Sequence, residues 1–221
     1  MNMCLKVVRY HLAQRVMYVA APWAALAFVF AVNLIIAAVT APSQDPTKAL
    51  AVIYVCFFAL GILSIGRSLP FGLALGVSRR SYYAGTALFA VALAAADGLA
   101  LTLLQALERA TGRGWGVHLG FFRVSYIFAG PWYLTWLTSF TGLALLFVYG
   151  MWFGIVYRRW DIFGLLAFLA AQVMVVLVGA AWHSIGHFFT ALSAAGLTGV
   201  LAALAAVLLA GGFATIRRIT V

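Results

Sequence analysis

The stretch LALGVSRRSYYAGTALF, Leu73 to Phe89, sets two arginines and two tyrosines between long apolar runs. Arg79, Arg80, Tyr82 and Tyr83 interrupt a chain of 221 residues that is 66% hydrophobic and only 8% charged. Soluble domains carry about 25% charged residues. A soluble fold of this composition would lack the polar side chains needed to cover its outside. The charges are therefore read as loop charges, and the apolar runs on either side as helices in a bilayer.

Working outward from that stretch, six runs approach the roughly 20 apolar residues that span a ~30 Å hydrocarbon core. They are Met17–Thr40, Ala49–Ile65, Ala84–Gln105, Trp132–Val156, Ile162–Trp182 and Leu192–Phe213. They show little period-2 alternation, so helices fit better than barrel strands. The first run follows Lys6, Arg9 and Arg15 as a signal peptide would, but it is far longer than a 7–15-residue h-region. The expected fold is all-α: a single domain, 1–221, with six transmembrane helices.

The net charge of +10 follows the same frame. One set of loops holds Lys6, Arg9, Arg15, Arg67, Arg79, Arg80, Arg158, Arg159, Arg217 and Arg218, and the other holds Lys48, Arg109, Arg113 and Arg123. Positive residues stay in the cytoplasm. Both termini are then expected inside, as an even number of spans requires. The basic residues do not form a stripe interleaved with aromatics, so nucleic acid is not an expected partner. Tyr126, Trp132, Tyr133 and Trp136 gather at the outer start of the fourth run, and Trp152, Tyr157 and Trp160 at its inner end, as interfacial belts do.

Residues 1–16 put Leu5, Val8, Leu12 and Val16 at helical spacing, which predicts an amphipathic helix on the inner leaflet. The connection 66–83 is long enough for a short surface helix over Pro70 to Arg79. Arg79 and Arg80 in it are either plain topology anchors, with Tyr82 and Tyr83 as the belt, or a docking surface for a cytoplasmic partner. The outer loop 106–131 is a lid or a connector, and 183–191 reads as an outer turn.

Few residues invite chemistry. Asp97 is the outstanding intramembrane charge, and such a carboxylate should face the bundle, a partner or water. It is either a polar contact in a translocation path or a structural hydrogen bond. Asn33 and Gln172 are weaker cases of the same kind. His183 and His187, four apart, have the spacing of a metal or haem pair but lack a companion carboxylate or cysteine. Cys4 and Cys56 have no partner at ligand spacing, and no metal site is expected. The chain has no G-x-x-x-x-G-K-[ST] sequence to cradle ATP phosphates, no HExxH, and no nucleophile–base pair in a loop, so no catalytic residue is expected.

The run Gly76-Val77-Ser78-Arg79-Arg80-Ser81-Tyr82-Tyr83-Ala84-Gly85 and the finish Gly211-Gly212-Phe213-Ala214-Thr215-Ile216-Arg217-Arg218, set in this layout, resemble the membrane subunit of ABC-2-type transporters. The resemblance implies a bacterial plasma-membrane permease that pairs with a second permease subunit. It also implies a cytoplasmic ATPase partner that holds ATP and Mg, with no cofactor in this chain. By position, Pro70, Phe71, Leu75, Ser78, Arg79, Arg80, Tyr82 and Tyr83 would couple to the ATPase. Phe28 and Phe58, with Asn33 and Asp97, would belong to the path, and Trp182 to Thr190 would form the outer turn. The implied activity is export of an amphiphilic compound: a drug, a peptide antibiotic or a lipid-like molecule. The rival classes are a haem-bearing membrane anchor, an intramembrane enzyme such as a lipid-modifying transferase, and a secondary transporter. The chain carries four acidic residues in all, few for such an enzyme, and shows no clear inverted repeat for a secondary transporter.

Overall fold

A computed structural model describes residues 3–39, 50–74, 76–111, 115, 120–122, 131–181 and 193–216. The order is α1 (Met3–Ala13), a π-helical turn (Val16–Ala20), α2 (Ala21–Val39), α3 (Ala51–Gly66), α4 (Ser68–Ala74), α5 (Arg79–Ala110), α6 (Trp132–Ala181) and α7 (Ala194–Thr215). Among the described residues, five helical stretches are long and apolar enough to cross a membrane: Val16–Val39, Ala51–Ala74, Arg79–Ala110, Trp132–Val178 and Ala194–Thr215.

The fourth of these merges the fourth and fifth apolar runs of the sequence. Its 47 residues would extend ~70 Å if straight, more than twice a hydrocarbon core. It is not straight. Asp161 has φ 54 and ψ −154, a conformation that residues bearing a Cβ rarely adopt. The halves before and after it fold back on each other. Tyr149 donates to the Gln172 side chain, and the Phe153 and Phe168 rings meet edge to face at 5.2 Å. These pairs are centred on Asp161, and in a straight helix they would lie ~35 and ~22 Å apart. Gly164 makes the reversal possible, because a Cβ there would overlap the Trp160 Cβ.

The centre of the bundle is the crossing of α3 with the first half of α6. A Cβ on Gly61 would overlap the Phe147 carbonyl, and one on Gly150 would overlap the Phe58 carbonyl. A Cβ on Gly154 would lie 2.8 Å from the Ile65 Cβ. Such contact between backbones is how helices gain packing in lipid, where apolar burial alone gives little preference for protein over acyl chain. Phe57, Leu143, Phe147 and Met151 fill the space around the crossing and are fully buried.

α7 lies along α6 through polar contacts. Thr138 and Thr198 share a 2.7 Å hydroxyl bond, and Trp152 Nε1 donates to the Leu208 carbonyl at 2.8 Å. α5 lies against the other side of α6, where Trp136 Nε1 donates to the Ala95 carbonyl at 3.2 Å. Much of α2, and of α6 beyond Asp161, presents large apolar residues outward, among them Ile35, Val39, Phe163 and Val175.

α1 differs from a helix lying free on a surface. Leu5, Leu12 and Val16 of the expected apolar stripe do face outward. The opposite stripe, Val7 and His11, is buried against α5. Gly85 admits this approach, since a Cβ there would lie 2.8 Å from the Cys4 carbonyl and 2.7 Å from the Val7 Cβ.

Candidate functional site

The connection between α3 and α5 is an elbow at the end of the bundle that also holds Arg158 and α1. The short helix in it is shifted from its expected place. It covers Ser68–Ala74, not Pro70 to Arg79. Pro70 falls in its first turn, where a missing N–H costs nothing. The helix ends at Gly76, whose φ is 80. Gly76 N–H donates to the Leu73 carbonyl at 2.9 Å and Val77 N–H to the Gly72 carbonyl at 3.1 Å. That pattern is a glycine-terminated helix end, which a residue with a Cβ would strain. Leu75 lies outside the described residues.

Ser78 starts the next helix. It is extended, with φ −66 and ψ 146, and its Oγ accepts from the Ser81 N–H at 3.2 Å. An N-terminal serine cap of this kind stabilises a helix by ~1 kcal/mol. Arg79 and Arg80 then occupy the first turn of α5, Arg79 half-buried and Arg80 exposed. Cations are disfavoured at a helix N-terminus, so local helix stability does not account for this pair.

Tyr82 and Tyr83 depart from the expectation that they form an interfacial belt or docking face. They are 1% and 2% exposed. Tyr82 OH donates to the Ser64 carbonyl of α3 at 2.8 Å. Its ring fills the space left by Gly72 of α4, where a Cβ would lie 2.7 Å from it. Tyr83 OH donates to the Leu209 carbonyl of α7 at 3.1 Å, and Gly212 leaves room for that hydroxyl. The two phenols are struts that fix α5 to α3, α4 and α7.

Two further ties come from residues whose part sequence reasoning missed. Arg158, counted above only as a topology charge, donates to the Gly66 carbonyl. It thereby satisfies the end of α3 with a cation, as helix C-termini favour. His11 is 0% exposed, with its Nε2 3.1 Å from the Thr86 hydroxyl of α5. Its ring stacks on Phe89 at 5.0 Å and meets Tyr18 edge-on at 5.0 Å. Burial pushes its pKa down from 6.5 to about 4, so it is neutral at pH 7. The spacing of Val7 and His11, four apart, was the available signal that α1 has a second buried stripe.

What the elbow leaves outward is therefore Phe71, Arg67, Ser78 and Arg80, on a base tied to α1, α3, α5, α6 and α7. Phe71 is 52% exposed and stacks on Tyr10 of α1 at 5.6 Å.

The residues expected along a path do not converge. Asp97 is 5% exposed, and its Oδ1 accepts from Trp23 Nε1 of α2 at 3.0 Å. Its Oδ2 is buried with no hydrogen-bond partner. Asn33 donates to the Val29 carbonyl of its own helix at 2.8 Å. Phe28 is 71% exposed on the outer side of α2. Phe58 belongs to the α3–α6 contact, edge-on to Phe153 at 5.0 Å. Gln172 holds the α6 hairpin.

At the opposite end, Glu108 Oε2 accepts from the Phe122 N–H at 2.7 Å, under a cluster of Phe30, Phe121 and Phe122. The rest of that connection, and the 183–191 turn with His183 and His187, lie outside the described residues. Among the described residues, His, Cys, Asp and Glu nowhere gather in a group able to hold a metal.

No protein-family model matches the chain, and neither a curated protein nor a solved structure does.

Proposed function

We propose that the chain is the permease subunit of an ATP-binding cassette exporter. It forms a translocation path with a second permease copy or a related subunit and receives work from a cytoplasmic ATPase through the α4 elbow. The observation that carries this reading is the braced elbow. The short helix α4, between two spanning helices, packs on α3 and α5 and meets α1 through the Phe71–Tyr10 stack, while Phe71 and the flanking Arg67 and Arg80 stand outward. A permease without a nucleotide site of its own needs such a lever. Arginine suits it, because the guanidinium makes firm two-point contacts with carboxylates.

In this reading α6 crosses the bilayer twice, reversing at Asp161, so the five apolar helical stretches make six crossings. The excess of Lys and Arg at the elbow end puts that end, and both termini, in the cytoplasm. The arginines at the start of α5 then have a reason to stand where the helix dipole disfavours them. They anchor the topology, and Arg80, the exposed one of the pair, faces the partner. α1 lies at the inner leaflet with Leu5, Leu12 and Val16 in lipid and Val7 and His11 on α5. ATP and Mg belong to the ATPase. The apolar, aromatic-rich interior suits an amphiphilic cargo.

The test is ATPase stimulation in a purified complex of this chain with an ABC ATPase encoded beside it, comparing the native chain with Arg79→Ala/Arg80→Ala. Loss of charge-assisted contacts worth ~1.5–3 kcal/mol should weaken coupling by tenfold or more while the bundle stays folded. Normal coupling together with normal assembly would sink the docking role.

A further inference from the structure

Beside the elbow, α1, the π-helical turn, the start of α2 and α4 enclose an open groove of about 700 Å³. Its walls include Tyr10, Gln14, Met17, Ala21, Arg67 and Phe71, and they are not uniform. Met17 and Ala21 lie one turn apart where the chain enters the first spanning stretch. Arg67 and Gln14 are the polar side chains of the wall, and Gln14 Nε2 donates to the Tyr10 hydroxyl at 2.9 Å. The stacked Tyr10 and Phe71 rings form a lip between α1 and α4.

An occupant that satisfies this lining carries an anionic group for Arg67 and Gln14 and an apolar part for Met17, Ala21 and Phe71. The charge balance selects its sign. At this end of the bundle the described residues include Lys6, Arg9, Arg15, Arg67, Arg79, Arg80, Arg158 and Arg159, with Asp161 the single carboxylate. Arg67 is exposed on the groove wall, and a guanidinium binds the paired oxygens of a phosphodiester in two-point fashion. The volume is in the range of small-molecule sites and suits a headgroup, a glycerol and the first methylenes of an acyl chain.

We propose that this groove is a binding site for one anionic phospholipid. Arg67 and Gln14 take the phosphate, and Met17, Ala21 and Phe71 flank the glycerol and upper acyl chain. The lipid fills the wedge between α1 and α4 and so completes the brace of the elbow. This rests on the chain being embedded in a bilayer and not on the ATPase partner, so either reading can fail while the other stands.

Native mass spectrometry of the full chain in detergent tests it, with dioleoylphosphatidylglycerol and dioleoylphosphatidylcholine titrated separately. The native chain should retain one phosphatidylglycerol in clear preference to phosphatidylcholine. Arg67→Gln should weaken phosphatidylglycerol binding about fivefold, the effect of one basic residue at an anionic membrane surface, and phosphatidylcholine less, because the choline cation already offsets the charge of the same phosphate. Ala21→Phe, which fills the apolar part, should weaken both lipids, and Arg80→Gln, outside the groove, should change neither. Equal retention of the two lipids by the native chain would overturn the proposal. So would equal losses in Arg67→Gln and Arg80→Gln, or displacement of the lipid by inorganic phosphate at millimolar concentration, which would mark a free-phosphate site.

Discussion

Acidification should release α1 from the bundle, and His11 sets how far. The imidazole is enclosed by Tyr10, Tyr18, Tyr82 and Phe89, with one nitrogen against Thr86 and Nδ1 buried without a partner. In the docked state the His11 pKa is pushed down from 6.5 to about 4; in an undocked α1 it returns to the ordinary value. Above pH 6.5 both states are neutral and docking is insensitive to pH. As pH falls from 6.5 toward 4 the undocked state binds a proton that the docked one refuses, and docking weakens. At about pH 4.5 the loss is roughly 2–3 kcal/mol, or nearly a hundredfold in the docking equilibrium.

Hydrogen exchange of the α1 amides in lipid nanodiscs, at about pH 7 and about pH 4.5 after correction for intrinsic rates, reads this directly. Protection in α1 should drop by up to that factor while the amides of α3 and the first half of α6 hold theirs. His11→Leu, which fills the site without a titratable group, should make α1 protection independent of pH. Unchanged protection in the native chain would refute the reasoning, as would acid loosening that persists in His11→Leu.

The α3–α6 crossing and the α6 hairpin each depend on a missing methyl group. Gly150→Ala and Gly164→Ala both drive a Cβ into neighbouring atoms and should cost at least ~1–3 kcal/mol, the range for overpacking, seen as a lower melting temperature in detergent. Gly199→Ala has open space around it and should be neutral or slightly stabilising. Asp97→Asn keeps an acceptor for Trp23 and should preserve thermal stability. Asp97→Ala leaves the indole N–H buried and unpaired and should cost ~1–3 kcal/mol.

Composition and charge placement made the helical membrane class legible, because a chain with so few charged residues can place them only where water is. The six apolar runs correspond to helices along most of their described lengths. What sequence reading could not separate was which apolar face meets protein and which meets lipid, since both neighbours are apolar and the pattern is the same. Hence Tyr82 and Tyr83 were legible as interfacial aromatics but not as struts, and Phe28 was grouped with interior residues although it faces outward. The Gly150–Gly154 spacing is a G-x-x-x-G pattern, and it was the overlooked sign of the closest helix crossing. The short helix was expected but displaced, because Gly76 ends it earlier than the arginines suggested. His11 was not singled out within the expected amphipathic helix, since nothing local to α1 shows that Gly85, more than 70 residues later, lets α1 pack closely on α5.

The most direct measurement of the central claim is photo-cross-linking in intact cells from a benzoylphenylalanine at position 71, on the outward face of α4. The account predicts an adduct whose second chain, identified by mass, carries a P-loop and an ABC signature, and which is lost when that chain is deleted. Adducts to lipid alone, to a protein without a nucleotide-binding motif, or to a protein on the extracytoplasmic side would contradict it.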